Sequence, residues 1–328
     1  MRALLCQTYG PPETLSVVEI AAPIPGPGEV IVDVAFAGLN FFDLLIIENK
    51  YQVKPALPFS PAGEFSGKVS ALGPGAEGFR VGDRVLGFGG FGAAREKIVS
   101  QTNRLVRVPD GLSLDKAAGL SVTYGTTLHA LKQRAELRAG ESLVVLGASG
   151  GVGLAAVELG ARLGANVIAC ASSDAKLAFT RAFGASETIN YATQDFRAEV
   201  KRITGGRGVD VVYDPVGGAL TEQALRSLAW KGRLLVIGFA SGEIPKPPLN
   251  LALLKGCDIR GVFWGEFVNR EPEIHRQNMA QLLEDAASGA ISGHIHAVYP
   301  LESFVEALGT IARREAIGKV LLAMNPEK

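Results

Sequence analysis

The stretch Leu143–Gly153, with the sequence LVVLGASGGVG, decides the fold of this chain. Its first four residues are apolar and predict a fully buried strand, and the next seven, Gly147 to Gly153, include four glycines and predict a turn. A helix is expected next, because apolar residues recur at helical spacing from Val152 to Leu163. A second apolar strand, Asn166 to Cys170, completes a unit of strand, glycine-rich turn, helix and strand.

The position of the glycines within this unit suggests their function. A backbone amide can approach a pyrophosphate closely only where no Cβ intervenes, and a helix N-terminus offers N–H groups to an anion. Gly150 and Gly153 occupy the second and third glycine positions of the dinucleotide fingerprint, and Ala148 replaces the first, which a tight turn tolerates if φ is negative. The turn therefore predicts a dinucleotide site on the backbone of Ser149, Gly150, Gly151, Val152 and Gly153.

Length and composition limit the remaining possibilities. The 328 residues are enough for two domains, and 33 basic residues balance 33 acidic ones, so charge gives no reason to expect a nucleic-acid or membrane partner. No apolar run is long enough to span a bilayer, and the N-terminus does not resemble a leader peptide. The cysteines, Cys6, Cys170 and Cys257, include no CxxC pair and are expected to be buried thiols in a reducing compartment. A cytoplasmic protein is expected.

The character of the chain changes twice along its length. Residues 1 to about 120 are rich in Gly and Pro and predict short strands in an all-β, barrel-like body. From Glu141, strands and helices alternate for more than a hundred residues, which predicts a parallel sheet covered by helices. The tail from about Glu271 is expected to return to the N-terminal body, and Ile47 to Pro58 and Gly265 to Asn269 are expected to be loops.

Several motifs, in order along the chain, make a family resemblance specific. They are GLNFFD at 38–43, GDRV at 82–85, TYGTT at 123–127, GASGGVG at 147–153, INY at 189–191, DPVGG at 214–218, GRLLVIGFASG at 232–242 and GKVLL at 318–322. The chain resembles the zinc-free quinone oxidoreductase branch of the medium-chain dehydrogenase/reductase superfamily. The resemblance implies an α/β fold in which a Rossmann NADP-binding domain (123–265) interrupts a GroES-like catalytic domain (1–122 and 266–328), with the active site between them.

The end of the second strand bears on cofactor choice. An acidic residue at this place would bind the ribose 2′-hydroxyl of NAD, but here Ala171 is followed by Ser172 and Ser173. Lys176 and Tyr191 match positions that hold the 2′-phosphate in related quinone reductases. Ser173 could instead cap a helix that begins at Asp174, and the Asp174 carboxylate could turn toward a ribose. The missing acid and the nearby donors favour NADPH.

The other strand ends predict the nicotinamide end of the site, because ligands of an open α/β sheet lie at the carboxyl ends of its strands. Asp214 and Val216 follow one such strand, and Gly238, Phe239 and Ala240 follow the next. The resemblance implies that Asn40 and Thr127 approach the nicotinamide and that Phe239, Phe263 and Trp264 frame it. For Phe239 and Trp264, packing alone is an equally good interpretation.

Zinc chemistry is not expected. The resemblance places Asn40 and Gly63 where zinc-containing relatives carry Cys and His, and Asp43 and Glu64 without a soft ligand do not make a zinc site. Reduction of a conjugated acceptor needs no metal, since the charge reaches an oxygen that hydrogen-bond donors can hold. Asn40 and Tyr51 are the candidate donors, although Tyr51 could be an aromatic residue of the barrel rim.

Two classes of function remain open from the sequence. The first is an NADPH-dependent quinone or enone reductase, with enoyl-CoA or 2-enal reduction as the alternative, and the second is a weakly catalytic, crystallin-like NADPH-binding protein. A small-molecule substrate is expected in the first case. A homodimer is expected in both, because the last strand of the Rossmann sheet, near Ile259 to Phe263, would otherwise leave an apolar edge unpaired.

Overall fold

A computed structural model describes residues 1–324, which form two compact units. One unit combines Met1–Val122 with the returning tail from Pro272, and the other is Thr123–Glu271. The first is called here the barrel unit and the second the nucleotide unit. The expected second boundary, at 265/266, lies six residues before the observed one at 271/272.

The strands and helices have the following bounds. The strands are β1 (Arg2–Leu5), β2 (Ser16–Glu19), β3 (Glu29–Leu39), β4 (Glu64–Leu72), β5 (Arg84–Phe88), β6 (Lys97–Gln101), β7 (Leu105–Arg107), β8 (Ser142–Leu146), β9 (Asn166–Ala171), β10 (Glu187–Asn190), β11 (Val209–Asp214), β12 (Leu228–Val236), β13 (Asp258–Gly261), β14 (Ile295–Pro300) and β15 (Lys319–Ala323). The helices are α1 (Phe41–Ile47), α2 (Leu114–Ala118), α3 (Ser121–Leu128), α4 (Gly151–Arg162), α5 (Asp174–Arg181), α6 (Phe196–Ile203), α7 (Ala219–Arg226), α8 (Asn250–Lys255), α9 (Trp264–Arg270), α10 (Pro272–Ala287) and α11 (Phe304–Ala312).

The nucleotide unit contains the predicted doubly wound sheet. Its strands are all parallel and lie in the order β10-β9-β8-β11-β12-β13. Strands β9 and β10 are added on one side of β8 and strands β11 to β13 on the other, so the strand order reverses between β8 and β11. Ligands of such sheets bind where the strand order reverses, outside the carboxyl ends of the strands. Every residue of β8 is buried, which confirms the strand expected from Leu143–Leu146.

The barrel unit is mainly antiparallel. Its larger sheet has the order β14-β15-β3-β4-β5-β7, and β6 also pairs with β3. The tail returns to this sheet as expected, since Val320 to Ala323 of β15 pair with Phe36 to Leu39 of β3. This register brings the end of β15 that begins at Lys319 to the end of β3 that leads into Asn40.

Two sequence-based expectations about local structure are wrong. Residues 41–47 form α1, although residues 1 to about 120 were expected to be all-β. The helix forms because it buries Leu44, Ile46 and Ile47 in the barrel core. Residues 265–269 belong to α9 rather than to a loop, because Trp264 and Phe267, three residues apart, are both 5% exposed and lie on one helix face. Among the described residues every helix is too short or too polar to cross a lipid bilayer.

Candidate active site

The turn between β8 and α4 has the geometry of a diphosphate cradle. Its left-handed residue is Gly147, with φ of 58°, and Ala148 is not in that region, so alanine is accommodated there. A Cβ on Gly153 would overlap the Gly147 carbonyl, whereas one on Gly150 would meet only that oxygen, at 3.5 Å. The amides of the first turn of α4 lack acceptors within the helix. Backbone donors and a surface free of side chains therefore fit a dinucleotide phosphate.

The residues expected at the 2′-phosphate end lie one strand away, at the end of β9. The Ser173 side chain accepts from the Lys176 amide at 3.5 Å, so it caps α5, while Ser172 is exposed. The Tyr191 amide donates to the Ala171 carbonyl at 3.1 Å, which brings Tyr191 beside the two serines. Asp174 Oδ1 accepts from Asn190 Nδ2 at 2.8 Å. This carboxylate is thus engaged by an amide, and the donors near it fit a phosphate.

The turns after β11 and β12 are joined by backbone hydrogen bonds. The buried Asp214 carboxylate accepts from the Val216 and Gly217 amides, both at 2.9 Å, and from the Thr221 hydroxyl at 2.6 Å. The Ala240 amide donates to the Pro215 carbonyl at 3.0 Å. Asp214 therefore shapes the turn that contains Val216, and its own oxygens are occupied.

The aromatic residues expected at the nicotinamide end differ in exposure. Phe239, which follows Gly238, is 36% exposed and Phe263 is 51% exposed, so both present ring surface outside the sheet edge. Trp264 is only 5% exposed and lies against Gly125. Packing therefore explains the position of the Trp264 side chain, and a contact between the cofactor and residue 264 would involve the backbone of that residue.

Thr127 is buried and its hydroxyl is fully used. It donates to the Thr123 carbonyl at 2.8 Å and lies 2.9 Å from the Tyr213 hydroxyl and 3.3 Å from the Val152 carbonyl. Burial raises the pKa of Tyr213, so its hydroxyl stays protonated. Thr127 therefore connects α3 to β11 and to the first turn of α4. Tyr213 was not anticipated, since a tyrosine in an apolar strand gives no signal of its partner.

The barrel unit contains a buried polar cluster at the expected position of Asn40. Lys319 Nζ donates to Asn40 Oδ1 at 2.6 Å and forms an ion pair with Glu64, whose other oxygen accepts from the Val122 amide at 2.7 Å. Asn40 Nδ2 donates to Glu64 Oε1 at 2.9 Å and faces the Gly38 carbonyl at 3.4 Å. A substrate oxygen could take an Asn40 proton only by replacing the weak contact with Gly38.

Asp43 and Tyr51 lie next to this cluster. Asp43 accepts from the amides of Asn40 at 2.7 Å and Ala62 at 3.1 Å, and burial raises its pKa to about 7. The Tyr51 ring stacks on Phe42, with centroids 5.6 Å apart. Burial, followed by the charge of Asp43, raises the pKa of Tyr51, so its hydroxyl remains a proton donor at neutral pH.

The residues around Asn40 do not fit zinc. A Cβ on Gly63 would lie 3.0 Å from the Gly90 carbonyl oxygen and 3.1 Å from Phe42 Cζ, so a larger side chain at position 63 has little room. The Lys319 ammonium already neutralises Glu64 and would repel a cation. Residues 1–324 contain no group of three or more His, Cys, Asp or Glu side chains able to hold a metal ion. Lys319 was not predicted as a residue of this cluster. The signal available in the sequence was a lysine directly before the apolar run Val320–Ala323, and the structure buries all five residues.

Comparisons with known proteins agree with this geometry. The profile of the alcohol dehydrogenase GroES-like domain matches residues 26–110, and that of the zinc-binding dehydrogenases matches residues 151–285. Quinone oxidoreductase-like protein 2 of Mus musculus is 39% identical over 325 residues, which cover 99% of this chain and 92% of that protein.

Two solved structures are similar over nearly the whole chain. The quinone oxidoreductase of Pseudomonas syringae has 32% identity and a TM-score of 0.91, covering 98% of this chain and 99% of that one. The quinone oxidoreductase of Escherichia coli, complexed with NADPH, has 28% identity and a TM-score of 0.92, covering 98% of this chain and 100% of that one.

Proposed function

Since the chain belongs to the zinc-free quinone oxidoreductase branch of the medium-chain dehydrogenase/reductase superfamily, we propose that it uses NADPH to reduce a quinone or another conjugated carbonyl. The observation that carries the proposal is the glycine-lined cradle of Gly147–Gly153 at the edge where the strand order reverses. NADPH, when bound, supplies a hydride. The remaining steps depend on side chains of this chain.

The preference for NADPH over NADH rests on the ribose end of the site. Ser172, Ser173, Lys176 and Tyr191 offer one cation and several donors, and the Asp174 carboxylate is held by Asn190 at 2.8 Å. A 2′-phosphate gains charge-assisted hydrogen bonds there, whereas the acidic residue that usually accepts from a 2′-hydroxyl is replaced by Ala171 at the end of β9. The NADPH complex of the Escherichia coli relative supports the same choice.

The preference for a conjugated acceptor rests on the barrel unit. Without a metal at Asn40, the negative charge that arrives with hydride is best spread over a conjugated system and held at an oxygen. The Tyr51 hydroxyl is the better donor of the two expected ones, because a phenol carries its proton at neutral pH and the Asn40 side-chain amide already donates to Glu64. The proton that accompanies the hydride is therefore delivered by Tyr51 or by solvent.

Steady-state kinetics test this function. NADPH and NADH are compared against a quinone, a 2-enal and an enoyl-CoA, with Tyr51→Phe as a variant. We expect oxidation of NADPH with the quinone, a lower kcat for Tyr51→Phe, and weaker use of NADH. Preference for the enoyl-CoA would favour the enoyl-thioester alternative. NADPH binding without oxidation by any acceptor would favour a crystallin-like role.

A homodimer in the cytoplasm is part of the proposal. β13 is the edge of the parallel sheet, and Ile259 on it is 40% exposed. Two leucines of α8, Leu253 (80%) and Leu254 (69%), are also exposed. Pairing of β13 with a second copy would cover this edge. Sedimentation at several concentrations tests the dimer, and the three buried free cysteines suit a reducing compartment.

A further inference from the structure

Two aromatic contacts fasten α9 to α3 and to the π-helical turn His129–Arg134 that continues it. A Cβ on Gly125 would lie 2.8 Å from Trp264 Cζ2 and 3.1 Å from Cε2, so the indole rests directly on the glycine backbone. One turn further along, the His129 and Phe267 rings stack, with centroids 3.8 Å apart and planes at 17°. Each helix thus contributes one residue per turn to a continuous contact.

A third contact fixes the strand that leads into α9. Arg134 Nε donates to the Gly261 carbonyl at 3.0 Å, and Arg260 donates to the Arg134 carbonyl at 2.5 Å. The Val262 amide also donates to the Val236 carbonyl at 3.0 Å. The segment Val262–Gly265 therefore has its position set from both sides, by the sheet and by the helix that contains Gly125.

This segment lies at the carboxyl edge of the parallel sheet, as the Gly147–Gly153 turn does. Phe263, half exposed, directly precedes the buried Trp264. A shift of the rigid indole must therefore move the adjoining backbone at the edge where the proposed cofactor binds.

We propose that Gly125 and Trp264 are positioning residues for the nicotinamide half of the cofactor, because the approach of the indole to the glycine sets the place of Val262–Gly265. The proposal rests on the proposed function, since it needs a nicotinamide nucleotide at this edge. The two residues would affect where the cofactor binds and not the chemical step, because neither Gly125 nor the Trp264 indole has to touch the cofactor. Glycine is required at position 125 since any Cβ there would displace the indole.

Gly125→Ala is the direct test, with calorimetric affinity for two nucleotides as the readout. The added methyl overpacks a buried contact and moves the segment. We expect the affinity for NADPH to fall by about tenfold. The affinity for adenosine 2′,5′-bisphosphate, which has no nicotinamide, should change by less than about twofold. Gly111→Ala is the matched control, because a Cβ there meets nothing within 4 Å, and it should leave both affinities unchanged.

A rescue variant separates this contact from a general effect on folding. Phenylalanine lacks the outer part of the indole, so Gly125→Ala combined with Trp264→Phe should regain most of the lost NADPH affinity. In a Trp230→Phe background Trp264 is the remaining tryptophan, and its emission should become more accessible to acrylamide in Gly125→Ala. If Gly125→Ala does not fold, Phe267→Leu removes the second contact and should give the same selective loss.

The outcomes separate the two proposals. Selective loss of NADPH affinity with rescue supports the inference. A Gly125→Ala protein that binds NADPH as tightly as the parent, or that loses both nucleotides equally, overturns it while the proposed function stands. A parent protein that binds neither nucleotide refutes the proposed function and this inference with it.

Discussion

Replacing Lys319 with Met should destabilise the barrel unit far more than a surface charge deletion would. The Lys319 and Glu64 side chains are 4% and 0% exposed, so water cannot solvate the Glu64 carboxylate when the Lys319 ammonium is removed. Glu64 would keep the Val122 amide and Asn40 Nδ2 as donors but would lose its counter-charge. A buried carboxylate without its cation costs about 3–5 kcal/mol.

A second substitution should return part of that loss. Glu64→Gln removes the stranded charge and keeps a side chain of nearly the same shape. The double variant Lys319→Met/Glu64→Gln should therefore be more stable than Lys319→Met alone, with a coupling free energy of about 1–3 kcal/mol. The matched control is Lys97→Met, which breaks the exposed ion pair with Asp33 (36% and 51% exposed) and should cost less than about 1 kcal/mol.

The assay must observe the barrel unit itself. Both tryptophans, Trp230 and Trp264, belong to the nucleotide unit, so their fluorescence does not report on the cluster. Hydrogen exchange of peptides from β3, β4 and β15 does, because these strands surround Asn40, Glu64 and Lys319. The reasoning would be refuted if Lys319→Met changed the exchange of these peptides no more than Lys97→Met, or if the double variant were the sum of its two single changes.

Further predictions concern other parts of the chain. The raised pKa of Asp43, about 7, means that the folded state holds its proton between about pH 4 and pH 7 while the unfolded state releases it, so stability falls as pH rises through this window, by roughly 4 kcal/mol at most. Asp43→Asn should abolish this decline, measured as the midpoint of pulse proteolysis at each pH. Burial lowers the pKa of His275 to about 4, which gives stability the opposite pH dependence, but both proteins contain His275 and its contribution cancels in the comparison. Lys176→Glu should raise the KM for NADPH by on the order of tenfold or more and leave that for NADH within about threefold, whereas equal effects on both would remove the 2′-phosphate assignment. Thr127→Val leaves the buried Tyr213 hydroxyl without its partner and should cost about 1–3 kcal/mol in urea unfolding followed by tryptophan fluorescence. Tyr213→Phe should cost less, because Thr127 still donates to Thr123, and the reverse order would contradict the hydrogen-bond geometry.

The parts of the fold that follow from local sequence were predictable. The Gly147–Gly153 turn needs a left-handed residue at position 147 and no Cβ at position 153, and both glycines lie within the eleven consecutive residues Leu143–Gly153. The strands expected at Leu143–Leu146 and at Asn166–Cys170 are likewise present, as β8 and β9, because each is an apolar run. Helices α1 and α9 were missed because each is seven residues long, too short for a period to show, and each is held by tertiary burial.

The polar contacts of the candidate site could not be predicted, because they join distant residues. Asn40 and Lys319 are 279 positions apart, and Thr127 and Tyr213 are 86 apart. No pattern in a short stretch of sequence can show that both the nitrogen and the oxygen of the Asn40 side-chain amide are already hydrogen bonded. The consequence is chemical: sequence motifs identify side chains that gather around a reaction, but only the fold shows which of them still have a proton to give. In this chain the polar side-chain atoms of Asn40, Thr127 and Asp214 are already hydrogen bonded to other protein groups, so these motif residues hold the structure of their own unit.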